Sequence, residues 1–533
     1  MSGLPKGWIE APISDLVELQ ENGKPFQQGW SPQCESRTAD ADEWAVVKTT
    51  AIQPGEFWEH ENKALPATLE PRPQIEITAG DVLMTCAGPR NRCGVACLVR
   101  STRGRLMMSG KMYRFRPRPD LLDPQFLSRF IGLHRTQVRI DEMKTGINDS
   151  GLNLTHSRFG KLQVVLPPLN EQRRIVERIE ALFAEIDKGV ESLRAARTAL
   201  GLYRQSLLKS AFDGRLTADW RAANPDKLET PDALLARIKS EREARYEAAI
   251  AEWKAACAAW EKGRRKGKKP AKPKKPAPVD FAVGSDAQDT QLPTGWGLFR
   301  VSALCDVVRG GSPRPAGDKR FYEGAIPFLK VADLTRTDGK ILRSHAHTIK
   351  EAGLAKTRYV DLQTLMISNS GATLGVPKVC AFPTTFNDGI AAFLGLSEAE
   401  QFFHYWFWVR MTASLRALNQ GAAQPNLNTD VLGGTLIPQC SPAEEAEIVC
   451  ILDERLSAAD ALGEEIEAGL KRADALRQSI LTEAFAGRLV PQDPNDEPAA
   501  VLLERILAER EVKPKAKRWR RNKKSEQTEE LAL

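Results

Sequence analysis

Two stretches of the chain carry apolar or small residues at an average spacing of 3.5. The first is Ile175, Ile179, Leu182, Ile186, Gly189, Leu193, Ala196, Leu200, Tyr203 and Leu207. The second is Ile448, Leu452, Arg455, Ala459, Leu462, Ile466, Gly469, Ala473, Leu476 and Ile480, with Arg455 the charged exception. Charged residues fill the positions between. A 3.5 period keeps one seam turned toward a neighbouring helix and predicts coiled-coil packing. Proline precedes each run (Pro167-Pro168 and Pro442), and Gly214 and Gly487 follow as helix stops. At 1.5 Å per residue, helices of ~43 residues would extend roughly 65 Å. A lone helix of that length needs a partner, either its twin in an antiparallel pair or another protein; matched seams favour the twin.

Elsewhere the pattern changes to short β-prone runs broken by Gly, Pro and Asp. They include Asp81–Met84, Gly94–Val99, Lys111–Phe115, Ala325–Leu329, Thr364–Ser368 and Val376–Val379. One late helix is expected in each β-rich part, around 124–139 and 398–418. The aromatic run Phe402–Trp408 lies on the second and is read as core rather than as a base-stacking platform, which would need exposed strands or loops.

The chain is duplicated. LPKGW at 4–8 recurs as LPTGW at 292–296, and Asn153-Leu154 recurs as Asn426-Leu427. From there one constant offset aligns Glu171 with Glu444, Arg204 with Arg477, Phe212 with Phe485 and Arg215 with Arg488. LLARIKSERE (234–243) is echoed by LLERILAERE (502–511). The interiors of the two β-rich parts match poorly. The organisation expected is globular 1–168, coiled-coil helix 169–216, helical extension 217–260 and a basic Pro/Lys linker 261–291, disordered or extended. Globular 292–438, coiled-coil helix 439–490, and a helical extension with basic tail 491–533 follow. The fold class is α+β: two α/β domains separated by two long helices forming an antiparallel coiled coil, in a pseudo-two-fold repeat.

Charge alters this picture. The net charge is +7, yet residues 262–275 hold nine basic residues and residues 513–524 hold eight, with no acidic residue in either. The remainder is therefore net acidic, and any contact with phosphates must come from local patches. One candidate is 88–119, with Arg90, Arg92, Arg100, Arg103, Arg105, Lys111, Arg114, Arg116 and Arg118 and no acid. It reads either as a solvated face or as a phosphate-facing strip, and arginines there could read guanine bidentately. In the second part, loops offer Arg309, Ser312, Arg314, Lys319, Arg320, Asn369, Gln424 and Asn426 as donors and acceptors for base edges; ordinary turns explain their Gly and Pro equally well.

Nine cysteines without a CxxC pair read as small apolar residues rather than metal ligands. The N-terminus lacks the plan of a signal peptide, and no apolar run approaches the ~20 residues needed to cross a bilayer, so a cytoplasmic protein is expected. A GxxxxGK[ST] phosphate loop, a GxGxxG turn, an Asn/Asp-Pro-Pro-aromatic tetrapeptide and a spaced His set are all missing, which argues against an enzyme.

These motifs resemble the specificity (S) subunits of type I restriction–modification systems. The resemblance is carried by LPxGW at the head of each half, by LNLTHSRFGKLQVVLPPLNEQRRIVERIE (152–180) and by QPNLNTDVLGGTLIPQCSPAEEAEIV (424–449). It is also carried by SLLKSAFDGRL (206–216), SILTEAFAGRLV (479–490) and GGSPRPAGDKRFYEGAIPFLKVADL (310–334). CSPAEEAE at 440–447 departs from the PPxxEQ-like helix start that the first copy keeps. The resemblance implies a non-catalytic chain with two target-recognition domains, each reading one half of a bipartite site on double-stranded DNA, about one turn or roughly 34 Å apart. It implies two methyltransferase subunits docked through Glu171, Gln172, Arg204, Phe212, Arg215, Glu444, Arg477, Phe485 and Arg488, and motor–nuclease subunits beyond them. S-adenosylmethionine, ATP and Mg would sit on those partners and none in this chain; no membrane is involved. The competing readings are a single-chain nuclease or methyltransferase with an unrecognised centre, and a coiled-coil scaffold indifferent to sequence.

Overall fold

The computed structural model describes residues 3–512 apart from 22, 264–268, 274, 277, 282–291, 362, 372 and 418–426. The chain forms two compact units, one of residues 1–193 and 467–533, the other of residues 194–466. Both long helices form as the periodicity predicts, over Leu169–Phe212 and Pro442–Ala484. The unit boundary falls within both, so each unit owns half of each helix.

In the first unit, Ile9–Pro12 pairs antiparallel with Gln163–Leu166, tying the start of the domain to the strand that feeds the first long helix. A four-stranded antiparallel sheet runs in the order Gln27–Gln28, Met112–Phe115, Val82–Thr85, Ala96–Leu98. Its three longer strands are buried on both faces, because alternate residues enter different cores. Val82, Met84, Ala96, Leu98, Tyr113 and Phe115 join the core built on the helices. Leu83, Cys97 and Met112 join a second core with Val46, Ile52 and Leu106. The late helix is in fact two, Pro124–Ile131 and His134–Met143, because the chain breaks at Gly132 and extends at Leu133. Asp123 caps the first of them by accepting from the amides of Gln125 and Phe126.

The second unit follows the same plan with different strands. Gly297–Arg300 pairs antiparallel with Leu436–Gln439. A five-stranded sheet runs Asp306–Arg309, Ile390–Leu394, Thr364–Ser368, Pro377–Cys380, Ile341–Leu342, beside a four-stranded sheet built on Tyr322–Leu329. Leu365, Ile367, Ala391 and Phe393 enter the helix-side core, while Met366, Ile390 and Ala392 enter the other. The aromatic helix Glu398–Ala417 is core as expected, with Phe403, Phe407 and Trp408 buried. Residues expected in the extended linker are partly anchored: Val279 is buried, and the Phe281 ring packs tilted against Phe299, 5.2 Å between centroids.

Within each unit the helix halves run antiparallel. Arg477 pairs with Asp187 and Gly469 abuts Leu193 in the first unit. In the second, Arg204 donates to Ala459 O at 2.9 Å and pairs with Asp460 at 2.7 Å, and Gly463 abuts Leu200. One residue number falls as the other rises. The seam is not fully closed: Tyr203, Leu462 and Leu476 are exposed, as is Leu202 beside it, because two helices cannot cover so wide an apolar stripe. Among the described residues no helix is long and apolar enough to cross a membrane.

Candidate nucleic-acid interface

The frame of each unit is built from matching bonds. Trp8 donates Nε1–H to Glu171 at 3.0 Å, and Trp296 donates to Glu444 at 3.0 Å. Gln172 donates to the carbonyls of Leu121 and Pro167 and accepts from the Asp123 amide. Phe485 packs on Phe126 and Phe130, and Phe212 packs on Phe403 and Phe407. These residues, expected to face other subunits, are buried within their own unit, and Arg204 and Arg477 bridge the helices. Arg215 and Arg488 stay exposed, paired with Asp213 and Glu483.

The basic strip of the first unit divides by what its arginines touch. Arg114 lies on the same strand face as Met112 and is buried; its guanidinium serves the carbonyls of Gln74 and Glu76 and the side chains of Gln20 and Asp81. Arg92 holds Thr49 O and Ile52 O, Arg103 holds Ala41 O and Glu43 O, and Arg105 holds Asp42 O. These four fasten loops; Arg114 is buried and so cannot face phosphates, while Arg105 stays exposed. Arg116 and Arg118 pair with Asp81 and Asp120, and Arg100 pairs with Glu180 at 3.0 Å. Arg90, Arg100, Arg105 and Lys111 are exposed, Arg90 beside Asp149 at 2.8 Å. The Asp149 loop has no sequence signal of its own beyond directly preceding the repeated Asn153-Leu154. It carries Ile147 fully solvent-exposed, and Thr145 and Asn153 close it by exchanging backbone bonds. Cys86, Cys93 and Cys97 are buried; burial pushes the last two thiols up to about 11 and about 12, so they pack as protonated, apolar groups.

In the second unit the loop that begins at Arg309 is held against the sheet. A Cβ on Gly310 would strike the Asn387 carbonyl, and one on Gly311 would lie 2.5 Å from the Lys356 carbonyl, so the two glycines permit backbone to pass backbone. The loop then walls a cavity of about 420 Å³ lined by Ser312, Arg314, Tyr322, Lys330, His347 and Asp388. Ser312 donates to Asp388 at 2.6 Å, Arg309 donates to its backbone carbonyl at 2.5 Å, and Arg314 stands 3.7 Å from its carboxylate. Tyr322 donates to Pro313 O at 2.8 Å, and burial raises its phenol pKa. Lys319 and Arg320 are exposed, Arg320 paired with Asp318. Asn369 is buried instead, with no side-chain partner among the described residues, and its carbonyl accepts from Leu427. Gln424 and Asn426 lie outside the described residues. The cleft thus offers cations, a hydroxyl and a carboxylate on pinned backbone, the mixture that base edges and phosphates require.

Comparison with known proteins places this architecture. The family described as type I restriction modification DNA specificity domain matches residues 5–192. That segment is similar to this family. Over 195 residues it is 35% identical to the type I restriction enzyme EcoEI specificity subunit of Escherichia coli, covering 36% of this chain and 32% of that one. It is 30% identical over 206 residues to the EcoKI specificity subunit of Escherichia coli K12, covering 37% and 44%. The match thus spans about a third to under a half of these curated relatives. The fold extends further: a chain from a solved structure on assembly and conformational transition of the type I R-M system aligns with a TM-score of 0.61 at 18% identity, covering 92% of this chain and all of that one. The family's matched segment ends inside the first long helix, so it takes in one domain and half of one helix.

Proposed function

We propose that this chain is the DNA-reading specificity subunit of a type I restriction–modification complex, without a catalytic centre of its own. One observation carries the reading: two domains with different sheets and loops sit on frames that share their key bond, Trp8–Glu171 in one and Trp296–Glu444 in the other. A repeated frame with unlike readers suits a bipartite, asymmetric site, each domain reading one half. The exposed Leu202, Tyr203, Leu462 and Leu476 support docking of partner helices on the long helices. On this reading methyltransferase subunits dock there and bring S-adenosylmethionine and adenine flipping, and motor–nuclease subunits bring ATP and Mg. The complex works in the cytoplasm.

The test exchanges residues 1–168 for those of a relative, reconstitutes with methyltransferase subunits and maps methylated sites. One half-site should change and the other persist. If both half-sites stay unchanged, the reading fails; cleavage or methylation by the purified chain alone would favour an enzyme instead.

A further inference from the structure

The two units differ at one turn of their shared frame. After the first long helix, the Asp213 carboxylate is ringed by Lys209 at 2.7 Å, Arg215 at 3.0 Å and Arg410 at 3.5 Å. Arg410 comes from the recognition domain's own helix. After the second long helix, the repeat puts Ala486 where Asp213 stands, while Arg488 matches Arg215. The local backbone is the same: Gly214 and Gly487 both have φ of +71°, and each abuts the proline of its LPxGW segment.

Thr482 stands where Lys209 does, but Arg488 is kept and two further arginines gather at the turn although the carboxylate is gone. Arg135 reaches this turn from the first domain's helix and donates to Phe485 O at 3.0 Å. Burial and the neighbouring Arg139 both hold its pKa below the usual range. Arg139 makes no hydrogen bond or ion pair among the described residues, whereas Glu483 holds Arg488 through two bonds of 2.7 Å. Between them lies a cavity of about 240 Å³, into which Arg135, Arg139 and Arg488 project beside apolar Leu4 and Phe485. Glu10 is the one carboxylate on its wall. Leu4 and Val138 stand exposed nearby.

We propose that this pocket docks an acidic, apolar-flanked segment of a partner protein, whose carboxylate takes the place that Asp213 fills in the other unit. The chain supplies its own precedent for carboxylate as the matching group, and charge complementarity with a partly apolar rim fits a peptide rather than a nucleic-acid backbone. The site is separate from the helix faces invoked above and does not rest on the DNA-reading proposal. It makes partner binding one-sided: the second unit sets Asp213 among its cations, whereas in the first Arg488 is held by Glu483 and Arg139 is left without an ion pair among the described residues.

The experiment titrates the full chain, free of DNA and at fixed ionic strength, with a labelled, capped peptide alternating Glu and Leu. Wild type should bind one peptide per chain. Ala486→Asp supplies the missing carboxylate and should weaken binding by about tenfold or more, as should Arg139→Gln. Asp213→Ala should open the matching site and raise the stoichiometry to two. Melting curves of each variant report whether it is folded, and the gain of a site in Asp213→Ala cannot come from unfolding. Unchanged affinity in Ala486→Asp, equal binding of a control peptide with Gln in place of each Glu, or displacement by inorganic phosphate or random duplex DNA as readily as by peptide would overturn the proposal.

Discussion

The indole of Trp8 donates its Nε1–H to the Glu171 carboxylate at 3.0 Å, across 163 residues of chain. The bond pins the head of the first domain to the first turn of the helix that leaves it. Burial raises the Glu171 pKa, so the bond carries part of the cost of hiding that carboxylate. Its counterpart is better supported: Glu444 takes Trp296 and also Thr217 at 2.6 Å and Arg221. Trp8→Phe should therefore cost about 2 kcal/mol and Trp296→Phe about 1 kcal/mol, read by denaturant unfolding. Equal losses would contradict the difference in support.

Glu445 stands where the first copy has Gln172. It is fully buried, accepts from Gln439 at 2.5 Å, and is pushed well above the carboxylate range by burial and then by Glu400. Its folded pKa is raised, so stability from this group is complete below the ordinary value of 4.5 and is lost as pH rises through the folded value. Glu445→Gln restores the first copy's residue. The variant should be neutral at acid pH and gain roughly 1–3 kcal/mol at alkaline pH. Melting across pH checks this; a gain that stayed constant with pH would refute it.

Arg114 and Arg314 were alike as candidates but have opposite surroundings. Arg114→Met should cost about 3 kcal/mol, because the Gln74 and Glu76 carbonyls lose their donor and buried Asp81 keeps only Arg116 and Thr78 among the described residues. Arg314 is 70% exposed; Arg314→Gln should leave the melting temperature almost unchanged and weaken specific DNA binding by about 1–3 kcal/mol. Melting and DNA titration on both variants separate fold from reading, and a large stability loss in Arg314→Gln would count against its assigned place.

Gly214 and Gly487 end the long helices with φ of +71°, and a Cβ would collide with Pro293 or Pro5. Gly214→Ala and Gly487→Ala should each cost about 1–3 kcal/mol by thermal unfolding. Losses below ~0.5 kcal/mol would show that the turns relax freely.

The long helices were legible because their period, flanking prolines and terminal glycines agree. The duplication was legible because Glu171, Phe212 and Arg215 recur at one offset. The fate of the basic strip was not: what separates Arg114 from Lys111 is a set of backbone carbonyls brought in from residues 74 and 76, which side-chain identity does not reveal. Phe212 and Phe485 misled for a related reason, since an apolar residue at a helix end suits a partner's surface or the chain's own core equally well. The cleft around Asp388 needed residues 312 and 388 to meet, a long-range contact with no local trace.

The first unit's core joins Trp8 and Phe126 to Phe485, Leu502 and Ile506, while the second unit lies wholly within residues 194–466. On the ribosome the usual order is therefore inverted. Domains generally fold as they emerge, N-terminal first. Here the N-terminal domain leaves the exit tunnel with its seat for Phe485 empty, and its core is complete only after the whole of the second unit has been made. The later-synthesised unit closes before it. During that interval the surface of Phe126 and Phe130 is open to chaperones or to the tail of another nascent copy, so the rate of translation through the second long helix becomes part of how this protein matures.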